Sequence, residues 1–163
     1  MKTKTTSVFL LKNTPETLIG THVYAKDTIE RIRANAGASN DESPNYSILI
    51  YREEDIHYFV SQVPELAWEM IEYAEEPLEL LLPHKKYQTP FDESSFISIR
   101  LVKEEKLKQF VRKNGPIIAF RAAKNFSEDA LIDETVDCRE KDSKYTVVKV
   151  MKLFEDGSFT FLR

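Results

Sequence analysis

The sequence predicts a single α/β (α+β) domain in which helices flank a twisted, mixed β-sheet. A length of 163 residues suits one compact domain, and a hydrophobic fraction of 42% with 11% aromatic residues is enough for one core. Short apolar runs alternate with amphipathic segments along the chain, which is typical of layered α/β architectures. We find no internal repeat, low-complexity segment or linker, so residues 1–163 are expected to form one domain.

The strands are predicted from short apolar runs bounded by polar turns. A turn at residues 155–157 is expected to join the last two strands into a hairpin. The predicted strands are Val8–Leu11, Leu18–Tyr24, Tyr46–Tyr51, Leu78–Leu82, Phe96–Val102, Pro116–Phe120, Tyr145–Met151 and Ser158–Leu162.

Four helical segments are expected, starting near Asp27, Glu53, Pro64 and Lys103. Asp27 and Glu30 have the spacing of a capping box, and proline suits a first helical position. In the third helix we expect one buried row with two apolar residues beside it: Leu66, Met70 and Ala74, then Ala67 and Ile71. Gly115 is expected to end the fourth helix.

Composition excludes several classes of protein. The formal net charge of -4 disfavours a dedicated nucleic-acid binder, because phosphate neutralisation supplies most non-specific affinity. The four glycines are far apart, which excludes glycine-rich phosphate loops of the Walker and dinucleotide types. No apolar run is long enough to cross a membrane, and the run at residues 8–11 is too short for a signal peptide. One cysteine fits a reducing compartment, so we expect a cytoplasmic protein.

Most chemically reactive side chains have a structural explanation. His22, His57 and His84 do not have metal-ligand spacing, so no metal site is expected. Cys138 is expected to be a small buried apolar residue rather than a nucleophile. The adjacent acidic pairs, which point in different directions on a helix, are expected to be solvated. These pairs are Glu53–Glu54, Glu75–Glu76, Asp92–Glu93 and Glu104–Glu105.

Arg100 and Arg121 are stronger candidates for a functional role. Each lies at or just after the apolar centre of a predicted strand. A guanidinium group offers a rigid fork of donors that fits a carboxylate or a phosphate. The alternative is a surface arginine at the end of a strand.

Short motifs throughout the chain, in the same order, resemble the YrdC-type family of threonylcarbamoyl-adenylate synthases and their relatives. The first strand precedes Thr-Pro-Glu-Thr-Leu-Ile-Gly-Thr at residues 14–21, which resembles the family's Pro-Thr-Glu-Thr-Val-Tyr-Gly-Leu. Residues 76–83, Glu-Pro-Leu-Glu-Leu-Leu-Leu-Pro, are similar to Gly-Pro-Leu-Thr-Leu-Ile-Leu-Pro. Residues 97–101 resemble Ile-Ala-Val-Arg-Val, and residues 115–119 resemble Gly-Pro-Leu-Ala-Ala. Residues 146–148 match the Thr-Val-Val of a Ser-Thr-Val-Val-Asp motif.

This resemblance implies a YrdC-like fold and a nucleotide chemistry in tRNA modification. Family members combine ATP, threonine and bicarbonate, so the resemblance implies ATP as a possible cofactor. It also implies a nucleotide or threonine as the ligand. RNA is a further possible partner. The ligand-binding candidates are Thr17, Arg100, Arg121, Asn125 and Thr146. Catalytic residues are not assigned.

The positions that carry the family's chemistry differ in this chain. The basic pair that handles phosphates in the family is replaced by Ala36 and Ala38, on either side of Gly37. The family's Ser-x-Asn motif corresponds to residues 121–123, Arg-Ala-Ala. Loss of two cations is expected to reduce the rate about a hundredfold or more, because charge-assisted contacts dominate phosphate binding. We therefore expect a divergent YrdC-like domain that binds a ligand or nucleotide, with weak or lost synthase activity.

Two alternatives remain open at this level. The first is an active synthase with a site rebuilt from Arg100, Arg121, Lys124 and Asn125. The second is a protein-interaction module that lacks a small-molecule site.

Overall fold

The computed structural model describes residues 7–13, 17–35, 45–87, 94–122, 132–139 and 148–162. The described residues form three α-helices, one 3-10 helix and nine strands in a single mixed sheet. The strands are β1 (Phe9–Lys12), β2 (Thr17–His22), β3 (Tyr46–Ile50), β4 (Leu78–Leu82), β5 (Ile97–Leu101), β6 (Ile117–Arg121), β7 (Glu134–Asp137), β8 (Lys149–Leu153) and β9 (Phe159–Phe161). The helices are α1 (Lys26–Asn35), α2 (Glu65–Tyr73) and α3 (Glu105–Asn114), and the 3-10 helix is Glu53–Tyr58.

The strand order in the sheet is β7-β1-β2-β6-β3-β5-β4-β8-β9. The neighbouring pairs β1–β7, β3–β5 and β4–β8 are parallel, and the other neighbours are antiparallel. The predicted mixed sheet with flanking helices is therefore confirmed.

The two faces of the sheet are covered by different helices. Ile29 and Ile32 of α1 and Ala67 and Ile71 of α2 are buried in a cluster with alternate residues of the strands. On the opposite face, Leu107 and Val111 of α3 pack with residues of β1, β2, β3 and β6. Strand alternation accounts for this division, because successive side chains point to opposite faces.

The structure corrects two details of the predicted helices. Helix α1 begins at Lys26, so Asp27 lies in its first turn rather than at its cap. In α2 the buried residues are Ala67 and Ile71, while Leu66, Met70 and Ala74 are half-buried. The row that faces the sheet is thus one position further along the helix than the predicted row.

Strand β7 was not predicted from the sequence. Its residues are Glu-Thr-Val-Asp, and three of the four are exposed. It pairs in parallel with β1 from Phe9 opposite Glu134 to Lys12 opposite Asp137. An edge strand with solvated side chains has no apolar periodicity by which it could be recognised.

Gly20 allows β2 and β6 to approach closely. A Cβ atom at this position would lie 2.7 Å from Cγ2 of Ile117 and 2.9 Å from the carbonyl oxygen of Ile118. Gly115, in contrast, ends α3 with a φ of +82° and has open space around it.

We predict that Gly20→Ala lowers the free energy of unfolding by about 2 kcal/mol, because β6 would have to move to admit the methyl group. Gly115→Ala serves as the control, with an expected loss of about 1 kcal/mol from backbone conformation alone. Urea unfolding measures both changes. An equal or smaller loss for Gly20→Ala would contradict the close approach of β2 and β6.

Candidate functional site

One face of the four central strands carries a group of polar side chains, of which Arg121 is half-buried and the others are buried. We call this group the polar face; it consists of Ser47 of β3, Glu79 of β4, Ser98 and Arg100 of β5, and Arg121 of β6. Leu49 pairs with Arg100 and Ser47 pairs with Ala119, which places these positions on the face that α3 covers in part. Strand alternation is the reason that residues from four strands meet there.

Arg100 is buried and forms an ion pair with Glu104, four residues further along the chain. The side chain of Arg100 is 1% exposed and that of Glu104 is 6% exposed, and Nη2 of Arg100 donates to Oε2 of Glu104. The alternative of a surface arginine at a strand end is therefore wrong for Arg100. The expectation that Glu104 is solvated is also wrong, because a buried guanidinium requires a buried counter-charge.

Glu104 connects three parts of the fold. It immediately precedes α3, and its carboxylate also accepts a hydrogen bond from Nδ2 of Asn13 at 3.1 Å, just after β1. Burial alone would raise the pKa of Glu104, but the charge of Arg100 and the hydrogen bond from Asn13 outweigh burial and lower it. The carboxylate is thus held in its ionised form.

Arg121 forms the second ion pair of the polar face. Its Nη2 donates to Oε2 of Glu79 at 2.6 Å, and this contact reaches from β6 across β3 and β5 to β4. The side chain of Arg121 is 16% exposed and that of Glu79 is 3% exposed. Of these two pairs, the one between Arg121 and Glu79 is the more accessible to a ligand.

The two ion pairs are adjacent. Leu80 pairs with Ile99, so the register places Glu79 opposite Arg100 on the neighbouring strand. Arg100, Glu104, Glu79 and Arg121 therefore form a charge network with two positive and two negative groups. A polyanion such as the triphosphate of ATP would meet no net positive charge from these four side chains.

The remaining polar groups of this face are hydroxyl groups. Oγ of Ser98 donates to Oγ of Ser47 at 3.5 Å, and both residues are buried. They place small side chains beside the charge network.

The other candidate residues are not brought into this group. Thr17 begins β2, where its carbonyl accepts a hydrogen bond from the Ala122 amide at 3.0 Å. Leu18 pairs with Arg121, so alternation assigns Thr17 to the opposite face. The remaining candidates and motif positions lie outside the described residues: Ala36, Gly37, Ala38, Lys124, Asn125 and Thr146.

Cys138 is buried, as the sequence predicts. Burial, with the nearby charges of Asp137 and Glu104, raises the pKa of its thiol to about 11. A thiol that stays protonated at neutral pH is a poor nucleophile. Within the described ranges, no three His, Cys, Asp or Glu side chains are arranged to hold a metal ion. The helices that the structure describes are all too short or too polar to span a membrane.

Sequence reasoning missed both acidic partners of the arginines. Glu79 is the second residue of the apolar run Leu-Glu-Leu-Leu-Leu, and Glu104 follows Arg100 by four positions. A glutamate within an apolar strand is itself a signal, because a central strand buries both faces and an isolated charge there is costly.

We predict that Glu104→Gln destabilises the protein by about 3 kcal/mol, because it leaves the Arg100 charge buried without its carboxylate. In the double variant Arg100→Met with Glu104→Gln, the free energy of unfolding is expected to return to within about 1 kcal/mol of that of the unsubstituted protein. Urea unfolding is the measurement. Arg139→Gln is the control, since Arg139 and Asp137 form an exposed pair whose loss is expected to have no measurable effect. A double variant as unstable as the single one would contradict a charge-pairing role.

The lowered pKa of Glu104 also predicts a pH dependence. The pKa of Glu104 in the folded protein lies below the unfolded value of 4.5. The stabilisation that ionised Glu104 provides is therefore complete above about pH 4.5 and is lost as the pH falls through the folded pKa. Between about pH 5 and pH 3 the original protein should lose more unfolding free energy than the double variant. Parallel stability curves over this interval would show that Glu104 is not held ionised by Arg100.

Solved structures with low sequence identity share this architecture. A doubly substituted variant of P. abyssi Sua5 superposes with a TM-score of 0.75 at 20% identity, over 96% of this chain and 49% of that chain. Sua5 from P. abyssi complexed with L-threonine superposes with a TM-score of 0.74 at 17% identity, over 96% of this chain and 50% of that chain. The chain thus spans about half the length of these two proteins.

Two further structures extend the comparison. E. coli YciO superposes with a TM-score of 0.69 at 14% identity, over 97% of this chain and 82% of that chain. Full-length HypF in its phosphate- and nucleotide-bound form superposes with a TM-score of 0.66 at 14% identity, over 96% of this chain and 26% of that chain. The sequence matches no protein-family model, and its comparison with curated proteins found no significant match. The likeness establishes the fold: the chain has the Sua5 and YciO architecture that the YrdC-type resemblance implies.

Proposed function

We propose that this chain is a divergent YrdC-type domain that binds a small ligand at the polar face and has weak or no threonylcarbamoyl-adenylate synthase activity. The observation that carries the proposal is the internal neutralisation of the two arginines. Arg121 is paired with Glu79 at 2.6 Å, and Arg100 is paired with Glu104. The same fold in Sua5 and YciO supports the choice of family.

Charge argues against a polyanionic substrate. The family's phosphate-handling pair is replaced by Ala36 and Ala38 in the sequence. The charge network supplies as many carboxylates as guanidinium groups, so it offers no replacement for the missing cations. Each lost charge-assisted contact removes about 1.5–3 kcal/mol of binding. The described residues therefore do not fit ATP as a tightly bound partner.

A zwitterion fits the accessible ion pair better. The guanidinium of Arg121 can donate hydrogen bonds to a ligand carboxylate, and the carboxylate of Glu79 can accept hydrogen bonds from an ammonium group. Both charges of an amino acid would then be matched, and no net charge would be buried. L-threonine is the first ligand to test, since one solved Sua5 holds it.

We predict that L-threonine raises the melting temperature and that ATP alone has a smaller effect. The double variant Arg121→Met with Glu79→Gln should abolish the threonine effect, because both recognition charges are removed together. Arg112→Met, which changes an exposed arginine of α3, is the control and should keep the effect. Threonine stabilisation that persists in the double variant would contradict binding at the polar face.

The loss of catalysis is tested separately. A mixture of the protein with ATP, L-threonine and bicarbonate is assayed for pyrophosphate, with an active Sua5 in parallel. We expect release at least about a hundredfold slower than that of the active enzyme. Threonine-dependent release at a comparable rate would favour the alternative of an active synthase with a rebuilt site.

A further inference from the structure

Strand β9 is an edge of the sheet formed by the described residues, and some of its main-chain hydrogen-bonding groups point outward. It pairs with β8 on one side and ends the strand order of the described sheet. The Phe154 amide donates to the Ser158 carbonyl at 2.9 Å, and the Leu162 amide donates to the Val150 carbonyl at 2.7 Å. Because antiparallel pairs alternate, Thr160 also faces β8, while the main-chain groups of Phe159 and Phe161 face away from it.

The side chains of this edge form an exposed aromatic patch. Phe159 and Phe161 are each 51% exposed, and their rings contact edge to face with centroids 6.0 Å apart. Tyr73, at the end of α2, is 75% exposed. An uncharged, aromatic edge strand without proline is the type that pairs readily with another strand.

A groove lies between this edge and α2. It has a volume of about 310 Å³, and its lining includes Met70, Tyr73, Leu78 and Phe161. Phe161 pairs with Met151 of β8, which belongs to the core cluster beneath α2, so the groove and both phenylalanines lie on the same face of the sheet. A strand added to β9 would place alternate side chains beside Phe159 and Phe161, on the face of the sheet that carries the groove.

The charge around the groove indicates the chemistry of the partner. Residues 65–76 contain five glutamates and no lysine or arginine, and all five are exposed. Oε2 of Glu76 lies 3.4 Å from Nζ of Lys149, which lines the opposite side of the groove. Glu75 and Glu76 thus outnumber Lys149 in the lining of the groove, and the other three glutamates lie on or at the start of the adjoining helix α2. This side of the sheet therefore complements a basic segment.

A second copy of the chain fits this edge less well. β9 has three residues, so self-pairing would bury far less than the roughly 1,200 Å² of a standard interface. A copy would also bring its own acidic segment to the same face. We propose that β9 and the adjoining groove form a docking site for an extended segment of another protein that is apolar at alternate positions and flanked by basic residues.

The test uses a blocked synthetic peptide, Lys-Leu-Thr-Phe-Thr-Leu-Lys, in calorimetric titration against the full chain. In the docked register the two Leu and the Phe lie opposite β9, so methylation of their three backbone nitrogens should weaken binding at least about tenfold. Methylation of the two Thr nitrogens, which point away from β9, should leave the affinity unchanged. Replacement of both Lys by Glu should weaken binding as well.

Protein variants provide the matching evidence. Phe161→Pro removes an outward amide without removing a β8–β9 hydrogen bond, and it should weaken binding at least about tenfold. Thr160→Val, whose main chain faces β8, is the control and should bind as the original does. The proposal is overturned if the peptide does not bind or if the two methylated peptides bind equally. Sedimentation that shows a dimer abolished by Phe161→Pro would assign the edge to a second copy and would also overturn it.

Discussion

A buried guanidinium group requires a carboxylate as its counter-charge, and the arrangement of the polar face of this sheet follows from that requirement. The charge of Arg100 on β5 is paired with that of Glu104, just before α3, and Glu104 also accepts a hydrogen bond from Asn13 after β1. The strands β1 and β5 and the helix α3 are thus fixed relative to one another by one carboxylate. Because the cost of an unmatched buried charge is several kcal/mol, the position of α3 over the sheet depends on this contact.

The same requirement bears on the binding that we propose for the polar face. Glu79 satisfies Arg121 from the other side of the polar face, and the register places Glu79 opposite Arg100. A site whose cations are already matched has little remaining attraction for a triphosphate. The pair of Arg121 and Glu79 is neutral as a whole and Arg121 is partly exposed, which is why we propose a ligand that carries both charges. The Sua5 architecture of the sheet does not by itself determine what the polar face binds, because one fold can carry different sites.

The sequence predicts most of the sheet because eight of its strands carry apolar runs, and the run at residues 97–101 even identifies Arg100 as unusual. Strand β7 could not be found in this way, since its position is fixed by main-chain pairing with β1 rather than by buried side chains. The burial of Arg100 was missed because it depends on a partner that becomes a neighbour only when α3 folds back on the sheet. The pairing of Arg121 with Glu79 links residues 42 positions apart, and no local pattern encodes such a contact.

Neutralisation of Arg121 by Glu79 is the central claim, and a gain of affinity tests it most directly. Calorimetric titration with ATP is performed on the original protein and on Glu79→Gln, which removes the negative charge and keeps the size of the side chain. The account predicts weak binding by the original protein and an affinity at least about tenfold higher for Glu79→Gln, as expected for one released charge-assisted contact. Tight binding of ATP by the original protein, with no gain in the variant, would contradict it.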